Sequence, residues 1–145
     1  MDKFDSDYTR NVYVVTVPKN GENVFGTPVA NKITSYSKSE DSAGTPALVD
    51  LKDGRFLLLW QKGFSDPTVY YTLVDGNGKK QGETYKMEGE LSDCQPIVYG
   101  GNVLWYNVDY EGKMTFYRIS TNDIADAGHM QKAAVKSITI QNKPS

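Results

Sequence analysis

TPALVDLKDGRFLLLW, Thr45 to Trp60, decides how this chain is read. A proline-led apolar run meets a turn at Gly54, and successive apolar residues then run from Phe56 to Trp60. Two apolar runs either side of a glycine turn predict paired antiparallel strands. A strand that is apolar at every position, rather than at alternate ones, predicts a sheet covered on both faces.

Outward from this stretch the pattern returns. In QPIVYGGNVLWY, Gln95 to Tyr106, Pro96 falls on Pro46, Val98-Tyr99 on Leu48-Val49 and Leu104-Trp105 on Leu59-Trp60, with Gly100-Gly101 near Gly54. The next strand repeats too: VYYTLVDGNG, Val69 to Gly78, aligns without gaps on MTFYRISTND, Met114 to Asp123. The step from Trp60 to Val69 equals that from Trp105 to Met114. A third version, VYVVTVPKNG, Val12 to Gly21, sets Asn20-Gly21 where Asn77-Gly78 lies. The unit is roughly 45 to 57 residues with about four strands, the scale of a repeat that must stack on its neighbours to bury a core.

The expected strands follow. The first unit supplies Asn11–Val17 and a weaker strand near Val29–Tyr36. The second supplies Ala47–Leu51, Arg55–Trp60, Val69–Val74 and Glu83–Met87, and the third Ile97–Tyr99, Asn102–Asn107, Met114–Ile119 and a last strand over Ala134–Gln141. Leu57–Trp60 and Val103–Tyr106 are expected to be covered on both faces, whereas the tyrosine-bearing strands after them alternate better and read as peripheral. Lys79, Lys80 and Lys86 flank the outermost strand of the middle unit, where charge discourages edge pairing. Asn122–Ala134 is broken by Gly128 and is allowed at most one short turn of helix. This divides the chain into a poorly ordered lead-in at 1–10, a repeat region over 11–127 with units of about 11–40, 41–90 and 91–141, and a tail or linker at 142–145.

Ser42, Pro46, Leu48-Val49, Gly54, Leu58-Leu59-Trp60, Tyr71, Asp75 and Asn77-Gly78 form a pattern that resembles the propeller-like repeats of secreted bacterial surface proteins. Ser92, Pro96, Ile97-Val98, Gly101, Val103-Leu104-Trp105 and Phe116 carry it a second time, and it departs at Ser120 and Asp123, where Asp and Gly are expected. The likeness covers roughly Asp41 to Asp123 and is one of fold. It implies an all-β protein of antiparallel four-stranded, β-propeller-like blades. The repeat count makes a partial ring of about three blades, against the 4–8 typical of closed rings. The resemblance also implies an extracellular or cell-surface setting in bacteria.

Composition excludes some partners. The 16 basic and 18 acidic residues nearly balance, and the basic ones are scattered, so the concentrated stripe that nucleic acid requires is missing. The longest apolar run is far short of the ~20 residues that span a bilayer, so no membrane insertion is expected. The start, MDKFDSDYTR, has no apolar core of a secretory signal, which leaves a cytosolic protein or a mature piece of a longer chain. Cys94 is alone and excludes an intrachain disulfide.

No catalytic constellation, cofactor motif or metal site emerges. His129 is the single histidine and reads as a surface residue, and Cys94 as a small residue at a tight, partly buried corner. Asp75-Gly76-Asn77-Gly78 resembles the start of a calcium loop, but Lys79 and Lys86 stand where ligands belong, so a hairpin turn explains it. The aromatic residues are the least neutral feature: Tyr70, Tyr71, Tyr99, Tyr106, Tyr110, Phe116 and Tyr117 gather in two adjacent units. Tyrosine offers a flat apolar face with a polar tip, suited to sugars and to protein partners. Tyr106 and Tyr110, flanking the loop after Trp105, with Tyr70 and Asp66, are the candidate ligand-binding residues. Asp50, Asp66, Asp93 and Asp109 are the carboxylates that a propeller glycosidase would have to bring to one axis.

The expectation is a non-catalytic recognition or structural module that binds a glycan or a protein through blade loops. Two alternatives belong to other classes. A fragment of a polysaccharide-active enzyme would bind glycan through its aromatics. A purely structural unit would have no ligand and would form a defined homo-oligomer through open blade faces.

Overall fold

The structure, a computed structural model, describes residues 9–38, 42–62 and 67–132. All its regular elements are strands, and they pair antiparallel. β1 (Tyr13–Thr16) pairs with β4 (Val29–Lys32), and β2 (Lys19–Gly21) and β3 (Val24–Phe25) form a small hairpin between them. β5 (Gly44–Asp50), β6 (Phe56–Lys62), β7 (Thr68–Val74) and β8 (Lys80–Glu88) make a four-stranded sheet in chain order. β9 (Ile97–Tyr99), β10 (Asn102–Val108), β11 (Met114–Ser120) and β12 (Ala127–Lys132) make a second sheet of the same order.

Each sheet has a rear face toward the preceding strands and a front face toward the following ones. The rear face of the β5–β8 sheet sets Leu58, Trp60 and Val74 against Val12, Val14 and Ala43. Its front face sets Val49, Leu57, Leu59, Val69 and Tyr71 against Val103, Trp105, Tyr117 and Ile119 on the rear of the next sheet. Period-two alternation along β6 therefore feeds two cores, which is why every residue from Leu57 to Trp60 is at most 3% exposed. Apolar surface buried this way stabilises by ~25 cal/mol per Å².

Trp60 and Trp105 hold equivalent places. Each lies on the second strand of its sheet, faces rearward and stacks on a cross-strand tyrosine. Trp60 stacks on Tyr70 at 6.1 Å and Trp105 on Tyr117 at 5.1 Å. Each also ties down the segment leading into its own sheet: the Trp60 indole N–H donates to the Tyr36 hydroxyl, and that of Trp105 to the Glu90 carbonyl. The gapless alignment keeps the faces but slips the pairing, because superposing Trp105 on Trp60 puts Tyr117, not Thr115, on Tyr70. A shift of two preserves which face a side chain takes, so the hydrophobic pattern cannot detect it.

Four further expectations are corrected. β7 is a central strand covered on both sides, with Val69, Tyr71, Thr72 and Val74 all buried, rather than peripheral. β10 is covered on one face only: Val103 and Trp105 are buried, but Tyr106 is 44% exposed, because no sheet lies in front of it among the described residues. Residues 127–132 are strand β12, held by backbone pairing to β11, where one turn of helix was the most expected. Asn20-Gly21 lies in β2 rather than at a turn, since the hairpin turns at Glu22-Asn23, with Asn23 at φ 61°. The strand expected over Ala134–Gln141 and most of the 1–10 lead-in lie outside the described residues.

One turn recurs without being apparent from the repeat. In Asp75–Lys79 the Asp75 carboxylate accepts from the N–H groups of Asn77 and Lys79, and the Gly78 N–H donates to the Asp75 carbonyl. In Asp109–Lys113 the carboxylate of Asp109 accepts from Glu111 and Lys113, and Gly112 N–H donates to the Asp109 carbonyl. The first joins β7 to β8 and the second β10 to β11, so one local device closes different hairpins.

Candidate functional site

The front face of the last sheet is the feature that asks for a partner. Pairing sets Ile97 beside Leu104, Tyr106 beside Phe116 and Phe116 beside Met130, so these side chains share one face. Ile97 is 59% exposed and Met130 56%, values that place a contiguous apolar surface in water. The rings of Tyr106 and Phe116 lie 6.3 Å apart, tilted at 46°. Two shallow hollows mark the face. One of about 290 Å³ lies among Cys94, Ile97, Leu104, Tyr106 and Phe116, and one of about 350 Å³ among Leu104, Phe116, Arg118, Gly128 and Met130. Arg118 bounds the second, and its guanidinium donates to the Asp126 carboxylate at 2.9 Å, which raises its pKa further.

The four candidate residues are not gathered in one place. Tyr106 is on this face, and Tyr110, fully exposed, is at the turn that follows β10. Tyr70 is half-buried on the rear of the middle sheet, stacked on Trp60, with the Lys62 ammonium 5.2 Å from its ring centre. Asp66 lies outside the described residues. Ile97 and Met130 complete the apolar face but were not among the candidates. The signal for that face was the unbroken apolar run Val103–Tyr106, which requires cover on both sides of β10.

A polar groove of about 310 Å³ lies at the end of the sheets, lined by Glu88, Glu90, Asn107, Asp109, Lys113 and His129 among others. Two of its carboxylates are engaged in structure: Glu90 accepts from the Asn107 amide at 2.8 Å, and Asp109 accepts from the N–H groups of its own turn. Tyr117 forms its wall, its hydroxyl accepting from the Glu90 N–H. Burial pushes the Tyr117 phenol above its ordinary pKa, opposed by the hydrogen bond from the Glu90 N–H and aided by the Glu90 charge. Asp50 stands at the opposite end of the stack from Asp109, at the turn where the Arg55 guanidinium crosses to the Thr121 carbonyl. Beside it, the Arg55 side chain holds the Asp53 carboxyl below its usual range through a hydrogen bond.

His129 is exposed, its ring tilted 5.8 Å from that of Tyr117. Cys94 is exposed, not partly buried, because Asp93 to Gln95 bow outward between the buried Leu91 and Pro96. Among the described residues no three His, Cys, Asp or Glu side chains gather in a way that could hold a metal ion. The same residues contain no helix long and apolar enough to cross a membrane. No family model, no curated protein and no solved structure matches the chain.

Proposed function

We propose that this chain is a non-catalytic, propeller-like recognition and structural module, acting at the cell surface or outside the cell. It works by docking a protein or glycan surface on the front face of its last sheet and the neighbouring Tyr110 turn. The observation that carries this reading is the exposed cluster of Ile97, Tyr106, Phe116 and Met130 on a sheet face whose counterpart in the middle sheet buries Val49, Leu57, Leu59, Val69 and Tyr71. Aromatic and methionine side chains are the types enriched where proteins meet partners, and tyrosine serves sugars as well. The bacterial surface setting rests on the sequence resemblance alone; the propeller-like repeat rests on it with two consecutive four-stranded sheets stacked in chain order in support.

The test is affinity electrophoresis of the chain through gels containing xylan, laminarin or mannan, alongside Tyr106→Ala and Tyr110→Ala variants and an assay for release of reducing sugar. Retardation lost in the variants, with no sugar released, supports a glycan-docking module. Release of sugar removes the non-catalytic reading. Absence of retardation leaves protein as the partner of this face.

A further inference from the structure

The faces inside the chain follow a rule of pairing. A front face meets a rear face twice: β1 and its neighbours against the rear of the β5–β8 sheet, and the front of that sheet against the rear of β9–β12. Among the described residues, one face of each kind is then left over. The spare front face is that of the last sheet, with Ile97, Leu104, Tyr106, Phe116 and Met130. The spare rear face is that of β1 and β4. There Tyr13 and Val15 alternate outward from the buried Val12 and Val14 and are 52% and 58% exposed, and Val17 continues the row at 48%. Ala30 and Lys32 pair with Val15 and Tyr13 and so stand on that same face.

We propose that the front face of the last sheet in one copy is covered by the rear face of β1 and β4 in a second copy, head to tail. This rests on the reading of the front face as a docking surface and names its partner. The contact would continue, between chains, the stacking already present within one. The interior contact shows what such a front face accepts: on the middle sheet Leu57, Leu59 and Tyr71 pack with Val103, Trp105, Tyr117 and Ile119, and the Tyr71 hydroxyl reaches the Ile124 carbonyl. The rear face of β1 offers aliphatic and aromatic groups of that kind, with Lys32 at its margin. Because the two surfaces differ, the contact is heterologous. It leaves a free face at each end of any open assembly, so growth stops only when a ring closes.

Sedimentation velocity of the full chain between about 1 and 100 μM, where contacts of modest affinity dissociate, reads this out. The expected result is association that grows with concentration beyond a dimer or closes at a fixed ring. Phe116→Glu places a carboxylate on the front face and Val15→Glu one on the rear face. Each is expected to weaken self-association about tenfold or more, as a charge buried in an apolar contact does. Met130→Glu is a second front-face variant, and thermal unfolding of each variant checks that it folds. The deciding measurement is the mixture: Phe116→Glu keeps an intact rear face and Val15→Glu an intact front face. Together they must form a one-to-one heterodimer, although each alone is monomeric. A wild-type chain monomeric at 100 μM, a dimer untouched by Val15→Glu, or a mixture that stays monomeric would each overturn the proposal. Retardation by polysaccharide of a monomeric wild type would overturn it while leaving the docking reading intact.

Discussion

The Tyr71 hydroxyl donates to the Ile124 carbonyl oxygen at 2.6 Å, across the seam between the two four-stranded sheets. Tyr71 is 2% exposed and its ring stacks on Tyr85 at 5.6 Å, so the phenol reaches out of the middle sheet to hold the β11–β12 connection of the next. Tyr71→Phe keeps the ring and strips the buried carbonyl of its donor. The expected loss is about 1–3 kcal/mol in urea unfolding. A change within a few tenths would mean that water replaces the phenol.

Glycines at positive φ are expected to differ by what lies beside them. Gly89 has φ 150°, and a Cβ there would strike the Tyr117 ring. Gly82 has φ 85° and open space around it. Gly82→Ala should cost about 1 kcal/mol from conformation alone. Gly89→Ala should cost more, about 2–4 kcal/mol, by displacing Tyr117 from Trp105. Equal melting temperatures for the two variants would remove the role given to the Tyr117 contact.

The two tryptophans should respond alike. Trp60→Phe and Trp105→Phe each delete an indole N–H that anchors a connecting segment, and each retains an aromatic ring against its tyrosine partner. Both are expected to lower stability by about 1–3 kcal/mol. A large cost at one site and none at the other would show that the two sheets are not equivalent.

Stability should fall at alkaline pH. Burial, first among the causes, raises the Tyr71 phenol above its ordinary value of 10.0, with Tyr85, Asp123 and Asp126 adding to the shift. A raised folded pKa means that the native state holds the proton more tightly than the unfolded chain. This contribution is therefore complete below pH 10.0 and is lost as pH rises from there through the folded pKa. Unfolding midpoints measured from pH 8 to 11 should drop at the alkaline end, and less steeply in Tyr71→Phe. Parallel curves for the two proteins would rule out Tyr71 as a source.

Leucines on opposite sides of the last interface separate covered from uncovered surface. Leu57→Ala, at 0% exposure in the middle sheet, is expected to cost about 2–5 kcal/mol at any protein concentration. Leu104→Ala, half-buried on the front face, should cost less, about 1–2 kcal/mol in dilute solution, and more as concentration rises. A cost for Leu104→Ala that does not vary with concentration would count against coverage by another copy.

Much of the fold is legible in particular residues. Ile97–Tyr99 and the starts of β10 and β11 fall where the glycines and apolar runs put them, because Gly100-Gly101, at φ 61° and 78°, leaves little choice of hairpin. β12 was not legible: AGHMQK has weak strand preference and is held by the backbone edge of β11, which no local pattern reports. Of the candidate site, Tyr106 was legible as an aromatic after Trp105. Its grouping with Ile97 and Met130 depends on pairing across three strands.

By itself the sequence determined the internal repeat and, for β6, β7, β10 and β11, the alternation of faces along each strand, because period-two alternation and turn chemistry act over a few neighbouring residues. Only the tertiary structure decided which faces are covered. Burial of a face depends on a sheet distant in the chain: Leu57–Trp60 has one on each side, whereas Val103–Tyr106, a similarly unbroken apolar run, has one behind and, among the described residues, open surface in front.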